Sequence, residues 1–351
     1  MSLSGPQLPG AGRAAEVSGH TEAKGKRSQA PSLSQPLSIV GRLRVSARFR
    51  LGVFLGATAL FCALMFAAFR TAGAPLAGPQ HRFLLFAYTL PPALLALTLH
   101  GGIGGRSLTR ELGLGLGRMR RYPLLPVIAL GVALLHLLCA GLLGADLALS
   151  REALASRAIE TFGPDEAASY VAFVQDFWMH PLVFEVLIGL AVGSVWGSVL
   201  FLPQELFLRG FLLAYVPGGL WRKSLGVTVL QVLWMLPLLA LGLGRGAVAD
   251  GGHATSGFLL TIAGTALLAV YVRVVWRSVF ASALFLGAYS ALWPALARAL
   301  PAATPGPWQY GAEGLGGLVV LGCALILLRR LSKRLKAPPT SEDIADAEAR
   351  A

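Results

Sequence analysis

Charged residues are scarce in this sequence, and long apolar runs take their place. Only 13% of the 351 residues are charged, whereas 55% are hydrophobic and the mean hydropathy is +0.65. Because a soluble domain carries about 25% charged residues, this composition argues against an ordinary soluble fold. It predicts a polytopic membrane protein, whose first partner is the lipid bilayer.

Cysteine is also rare, and its placement argues against several kinds of site. Cys62, Cys139 and Cys323 lie in three separate apolar runs, with neither a CxxC pair nor a Cys/His spacing. This spacing favours neither a disulfide framework nor a zinc site. The chain also lacks a P-loop, a dinucleotide fingerprint, an HExxH motif and a nucleophile elbow. We therefore expect neither a metal ion nor a cofactor.

Acidic residues are few, 17 against 30 Lys and Arg, so the formal net charge is +13. In a soluble protein this excess would suggest nucleic-acid binding. Here the basic residues concentrate in 1–50, 101–121 and 329–336, and all three stretches flank apolar segments. This is the positive-inside pattern of membrane proteins. It favours contact with anionic lipid headgroups and argues against a nucleic-acid partner.

The apolar runs predict an all-α fold, a polytopic membrane helix bundle of about eight transmembrane helices. Each run is long enough, or nearly long enough, to cross a bilayer. The predicted spans are Leu51–Phe69, Phe83–Leu99, Leu124–Leu143, Leu182–Phe201 (continuing into a helix over 204–215), Leu225–Leu243, Gly257–Val275, Val279–Leu296 and Gly314–Leu328.

The loops between these spans alternate in charge, which predicts the topology. Basic loops follow the second, fourth and sixth spans, while the long loop after the third holds six acidic residues and two arginines. Both termini are then cytoplasmic, and the expected location is a bacterial inner (plasma) membrane. We expect a disordered basic tail over 1–45, a membrane domain over 46–336 and a disordered tail over 337–351. Within the membrane domain, 147–178 is predicted to form two amphipathic helices divided at Gly163–Pro164, lying on the outer surface.

The run 203–215 contains the only closely spaced acid and base inside a long apolar stretch. A charged side chain near the centre of a spanning helix costs roughly 2.5–3.5 kcal/mol on insertion scales. Glu205 and Arg209 are four residues apart, so on a helix they share one face and can pair. We expect this pair to be the polar centre of the protein, facing the bundle interior.

The run from Gln204 to Leu213 resembles the first motif of the CAAX protease and bacteriocin-processing superfamily, also called the CPBP or ABI family of intramembrane endopeptidases. That motif reads Glu-Glu-x-x-x-Arg, and Gln204, Glu205 and Arg209 occupy its three named positions. The resemblance extends over 182–300, about a third of the chain. It implies a helix bundle with an intramembrane site for a polypeptide substrate.

The second and third motifs of the family are similar here only in position and surroundings. The resemblance places Met235 where the second motif has histidine, and Leu286 and Ser290 where the third has histidine and asparagine. In the family, the first Glu and the second-motif His activate a water, and the third-motif pair stabilises the oxyanion. Glutamine cannot take up a proton at neutral pH and a thioether is only a weak acceptor. The catalytic set is therefore degenerate, although its members are still expected to converge on one intramembrane cavity.

Three interpretations follow. In the first, the chain is a CAAX protease-like membrane protein with an impaired or inactive site that binds a membrane-embedded or lipidated polypeptide. In the second, it is an active intramembrane endopeptidase with a rearranged site, using Glu205 as base with help from His136 or Glu185. In the third, it is a transporter or scaffold unrelated to proteolysis. His136, Glu185 and His180 are otherwise expected to bond neighbouring helices or anchor at the interface.

Overall fold

A computed structural model describes residues 46–72, 81–103, 107–142, 144–240, 252–300 and 315–334, which are mainly helical and include no strand. This confirms the predicted all-α membrane bundle at the level of fold class. The predicted tails 1–45 and 337–351 lie outside the described residues. The longer helices are α1 (Ala47–Ala72), α2 (His81–Leu97), α4 (Leu124–Leu142), α5 (Arg151–Phe162), α6 (Pro164–Asp176), α7 (Pro181–Tyr215), α8 (Leu220–Ala240), α9 (Gly252–Trp276), α10 (Val279–Ala297) and α11 (Leu315–Arg334), with a single turn, α3 (Leu108–Glu111), before α4.

Six helices in the described residues are long and apolar enough to cross a bilayer. They are α1, α4, α7, α8, α10 and the part of α9 from Leu259. Of the other two predicted spans, α2 has 17 residues and α11 ends in a basic turn. The count of eight therefore stays a prediction.

Helix α10 lies at the centre of the bundle, against α4, α7 and α9. It meets α7 at two glycines. A Cβ on Gly197 would come within 2.6 Å of the Gly287 carbonyl oxygen, and one on Gly287 within 2.3 Å of the Ser198 nitrogen. Small residues let two membrane helices approach this closely. This crossing holds α7 against α10, two turns before Glu205.

The segment between α4 and α7 forms the two helices expected from Gly163–Pro164. Ser150 begins α5 by accepting a hydrogen bond from the Ala153 nitrogen at 3.2 Å. Gly163, with φ of 80°, ends α5, and Pro164 opens α6. Proline at the first helical position has no amide hydrogen to leave unpaired, so it favours this start. The division into two helices is confirmed, while their place on the outer surface stays a prediction.

Candidate functional site

The C-terminal part of α7 departs from regular α-helix next to Glu205 and at Arg209. Residues Leu206–Leu212 form a π-helical stretch, and all seven are buried. Pro203 lies inside the helix just before it and has no amide hydrogen to donate. Stretches of π-helix inside an α-helix occur frequently at functional sites. Nothing in the local sequence predicted this π-helical geometry.

Glu205 and Arg209 pair as the sequence predicted. Arg209 Nη1 donates to Glu205 Oε1 at 2.6 Å, and both side chains are wholly buried. A charge-assisted hydrogen bond of this kind is about twice as strong as one between neutral groups. Because both side chains are wholly buried, the pair faces the bundle interior rather than lipid.

Arg209 also bonds two further helices. Its Nη2 donates to Gln231 Oε1 on α8 and, at 3.0 Å, to the Ala266 carbonyl on α9. One guanidinium thus connects α7, α8 and α9. Sequence reasoning did not find Gln231 or Ala266 as partners, because neither is near Arg209 in the chain.

Two more polar side chains surround Glu205. Ser282 of α10 lies beside the carboxylate, and its hydroxyl also donates to the Val279 carbonyl at 3.0 Å. Arg273 of α9 is within electrostatic reach of Glu205. When Glu205, Arg209 and Arg273 are all ionised, this region carries one net positive charge.

The segment between α3 and α4 covers one end of this site. Leu112 is fully buried, and the carbonyl of Gly113 accepts from the Val279 nitrogen at 3.0 Å. Gly113 has φ of +74°, and a Cβ there would lie 2.0 Å from Arg273 Nη2. The Tyr122 hydroxyl lies 2.8 Å from Ser278 Oγ. These contacts hold the segment against the junction of α9 and α10.

Two of the residues predicted from the degenerate motifs, Met235 and Leu286, lie in different hydrophobic clusters of the core. Gln204, the residue before Glu205 in the chain, is buried. Met235 belongs to a core cluster with Phe207, whereas Leu286 belongs to a separate cluster around α10. The Ser290 hydroxyl donates to the Gly287 carbonyl at 2.9 Å within its own helix. Met235 and Leu286 thus stand in different parts of the core, and a shared cavity for all four positions stays a prediction.

The other candidate polar residues make contacts that hold the fold. His136 Nδ1 lies 2.8 Å from the Val132 carbonyl, one turn earlier on α4. Glu185 pairs with Arg298. His180 Nε2 lies 2.9 Å from the Leu149 carbonyl. In the described part of the chain, no group of three His, Cys, Asp or Glu side chains is placed to hold a metal ion.

A second polar network, not predicted from the sequence, lies where α7 ends. Arg50 Nη1 donates to the Tyr215 hydroxyl at 2.9 Å, and His100 Nδ1 lies 3.1 Å from the same oxygen. His100 Nε2 is 3.7 Å from a Glu111 carboxylate oxygen. Arg50 and His100 are both buried. The network connects α1, the π-helical turn Thr98–Gly102 that follows α2, α3 and α7. The sequence had placed Arg50 simply in a basic flank.

An apolar groove of about 710 Å³ runs between α1, the π-helical stretch of α7 and α8. Its lining includes Phe54, Phe207, Leu212, Leu233 and Trp234, and it contains none of the four positions from the degenerate motifs. Leu233 is 53% exposed, so the groove opens on the lipid-facing side of α8. Pockets of this size and character take apolar ligands.

No family model matches this chain, and neither a curated protein nor a solved structure is similar to it at a significant level.

Proposed function

We propose that this chain is an integral membrane protein of the CAAX protease-like type whose site does not cleave peptide bonds, and which holds the apolar part of a membrane-embedded or lipidated polypeptide. The observation that carries this proposal is the burial of Glu205 and its pairing with Arg209. Its carboxylate is wholly buried and bonded by Arg209, while position 204 beside it is glutamine. The charged pair acts as a structural connection between helices.

A hydrolytic site needs a base that takes a proton from a water placed to attack the substrate carbonyl, and donors that stabilise the oxyanion which forms. General-base assistance contributes typically 10²–10⁴-fold and one oxyanion donor about 10²–10³-fold. Met235 and Leu286 supply neither, because a thioether is a weak acceptor and leucine has no polar atom. The loss of these groups supports an inactive site.

The alternative of a rearranged protease has less support. It requires His136 or Glu185 to assist Glu205. Glu185 is paired with Arg298, and His136 bonds the Val132 carbonyl. Among the residues that the structure describes, no specific contact favours the transporter interpretation.

The apolar groove supports a binding role. Its walls come from three helices and are almost entirely hydrocarbon, and its opening faces the bilayer. An apolar chain that enters it exchanges lipid contacts for contacts with Phe54, Phe207 and Trp234. Aromatic walls provide a large contact area at low conformational cost.

Peptide cleavage provides the first test. Purified protein in liposomes is incubated with a prenylated peptide and with a transmembrane peptide, and products are quantified by mass spectrometry. We expect no cleavage above a heat-denatured control. Cleavage that Glu205→Gln abolishes would contradict the proposal and favour the rearranged protease.

Groove binding provides the second test. A fluorescent lipidated peptide is titrated against the protein in detergent, with Ala63→Phe to fill the groove. Ala67→Phe is the matched control, because Ala67 is an exposed residue of the same helix that does not line the groove. We expect weaker binding only for Ala63→Phe. Equal loss or equal retention in both variants would contradict binding in the groove.

A further inference from the structure

Two candidate membrane spans meet at their ends in a turn that carries exposed arginines. The span within α9 ends at Trp276, and the span that contains α4 begins at Met119. The Arg118 nitrogen donates to the Trp276 carbonyl at 3.1 Å, and Trp276 Nε1 donates to the Arg121 carbonyl at 3.4 Å. Four exposed side chains of this turn form what we call the arginine cluster: Arg118, Arg120, Arg121 and Arg277.

Hydrogen bonds fix the conformation of the turn. The Arg121 nitrogen donates to the Arg118 carbonyl at 3.0 Å, which closes a short 3-10 helix. The Tyr122 hydroxyl lies 2.8 Å from both the Leu116 carbonyl oxygen and Ser278 Oγ. The backbone is therefore preorganised, and a ligand bound by the arginine side chains does not have to order it.

The positive charge of the arginine cluster is not neutralised by nearby acids. The sequence has neither Asp nor Glu over 112–145 or over 251–312. Within the residues that the structure describes, none of the four guanidinium groups makes an ion pair. A guanidinium group binds phosphate through two parallel hydrogen bonds, which makes arginine suited to phosphate recognition. The cluster thus fits a ligand that carries an anionic phosphate.

Arg277 has a strained backbone. Its φ is 58°, and no other residue except glycine has a positive φ in the described part of the chain. It joins α9 to α10, because Ser278 begins α10 by accepting a hydrogen bond from the Phe280 nitrogen at 3.3 Å. Glycine is the residue usually found in this conformation just after a helix ends. An arginine at such a position points to a role for its side chain.

Exposed apolar side chains continue from the turn along α4. Leu116 and Met119 are exposed within the turn, and Leu124, Val127 and Ile128 are exposed at the start of the helix. The last three are spaced three and four residues apart, so they share one helical face. A phospholipid contacts both parts, with its phosphate on the arginines and its acyl chain on this face. A free phosphate ion contacts only the arginines.

We propose that the arginine cluster is a binding site for the phosphate of an anionic phospholipid, whose acyl chain packs on Leu124 and Val127. None of the cluster residues lines the groove between α1, α7 and α8, so the proposal does not depend on the proposed function. Basic flanks of membrane proteins attract anionic surfaces in general. The fixed geometry of this turn adds selective binding of individual lipid molecules.

Native mass spectrometry of the full-length protein in detergent tests the proposal by counting bound lipids. Dioleoylphosphatidylglycerol and dioleoylphosphatidylcholine carry the same acyl chains, and only the first has a net negative charge. We expect the first to bind at least about tenfold more tightly, as one charge-assisted hydrogen bond allows. Equal affinity for the two lipids would overturn the proposal.

Two triple variants separate this site from a general attraction between charges. Arg118→Gln, Arg120→Gln and Arg121→Gln together should remove the preference for the anionic lipid, while the backbone hydrogen bonds of the turn remain. The matched control removes three charges from exposed positions in the last turns of α11, through Arg329→Gln, Arg330→Gln and Lys333→Gln. Exposed charges away from the site are screened, so we expect the control to change the preference by less than about twofold. Equal loss in both variants would overturn the proposal.

Arg277→Gly supplies an independent test that does not depend on the folding of the triple variant. Glycine adopts a positive φ without strain, so the melting temperature should stay the same or rise. The preference for the anionic lipid should nevertheless fall, by about threefold or more, because one charge-assisted contact is lost. A preference that persists in Arg277→Gly would overturn the proposal.

Inorganic phosphate distinguishes a lipid site from a site for a free anion. It is added in large excess over dioleoylphosphatidylglycerol, with the ionic strength held constant by chloride. We expect the lipid to stay bound, because its acyl chain contributes contacts that the free ion lacks. Displacement of the lipid by inorganic phosphate would overturn the proposal in favour of a free-anion site.

Discussion

Arg209 Nη1 lies 2.6 Å from Glu205 Oε1 inside a fully buried π-helical region of α7. The same guanidinium bonds Gln231 on α8 and the Ala266 carbonyl on α9. The pair is thus one contact within a network that connects three helices. Its removal should therefore affect the stability of the whole bundle rather than that of α7 alone.

We expect Arg209→Ala to lower the free energy of unfolding by about 3–5 kcal/mol, because it leaves the Glu205 carboxylate buried without its counter-charge. Glu205→Gln combined with Arg209→Leu should recover part of this loss, since no unpaired charge remains. Denaturant titration of purified protein in detergent measures both values. Equal stability of the parent, the single variant and the double variant would contradict the pairing.

Gly113 is expected to tolerate no side chain. It has a positive φ, and its added Cβ would collide with the Arg273 guanidinium beside Glu205. Gly113→Ala should therefore cost about 1–2 kcal/mol from backbone conformation alone, and displacement of Arg273 adds to this. Gly115→Ala in the same segment is the control, because its Cβ would meet only the Thr109 carbonyl at 3.7 Å. Equal melting temperatures for the two variants would argue against the close packing of this segment.

Tyr215 holds the second polar network together through its hydroxyl. Tyr215→Phe removes the contacts with Arg50 and His100 and should cost about 1–3 kcal/mol, because a buried arginine loses a bonding partner. Tyr271→Phe on α9 is the control, since that half-buried hydroxyl has no hydrogen bond within the described residues. Thermal unfolding followed by circular dichroism compares the two. A larger effect at Tyr271 would be inconsistent with this account.

The predicted topology is tested by reporter fusions after residue 30, near residue 165 and after residue 340. We expect cytoplasmic, outer and cytoplasmic signals in that order, because basic and acidic loops alternate along the chain. A fusion near residue 116 should also report the cytoplasm. A cytoplasmic signal at residue 165 would exclude the topology with eight spans.

Much of the fold follows from local properties of the sequence. The apolar runs predicted the spanning helices, because in a bilayer every backbone polar group must be bonded within its own segment. The Gly163–Pro164 pair predicted the division between α5 and α6 for an equally local reason. The Glu205–Arg209 pair was also predictable, since a spacing of four residues places both side chains on one helical face.

The surroundings of that pair were decided only by tertiary structure. Gln231, Ala266 and Ser282 reach the pair from three different helices, and nothing in their local sequence indicates that they do. The separation of Met235 from Leu286 into two core clusters likewise depends on how α8 and α10 pack.

The sequence by itself determined that this is a helical membrane protein with one buried ion pair, because hydropathy and helical periodicity depend on neighbours in the chain. Only the tertiary structure decided the π-helical geometry at Arg209, the Arg50–Tyr215–His100 network and the groove between α1, α7 and α8. These features arise where residues distant in sequence meet. Their positions depend on helix packing, which close contacts such as that between Gly197 and Gly287 set.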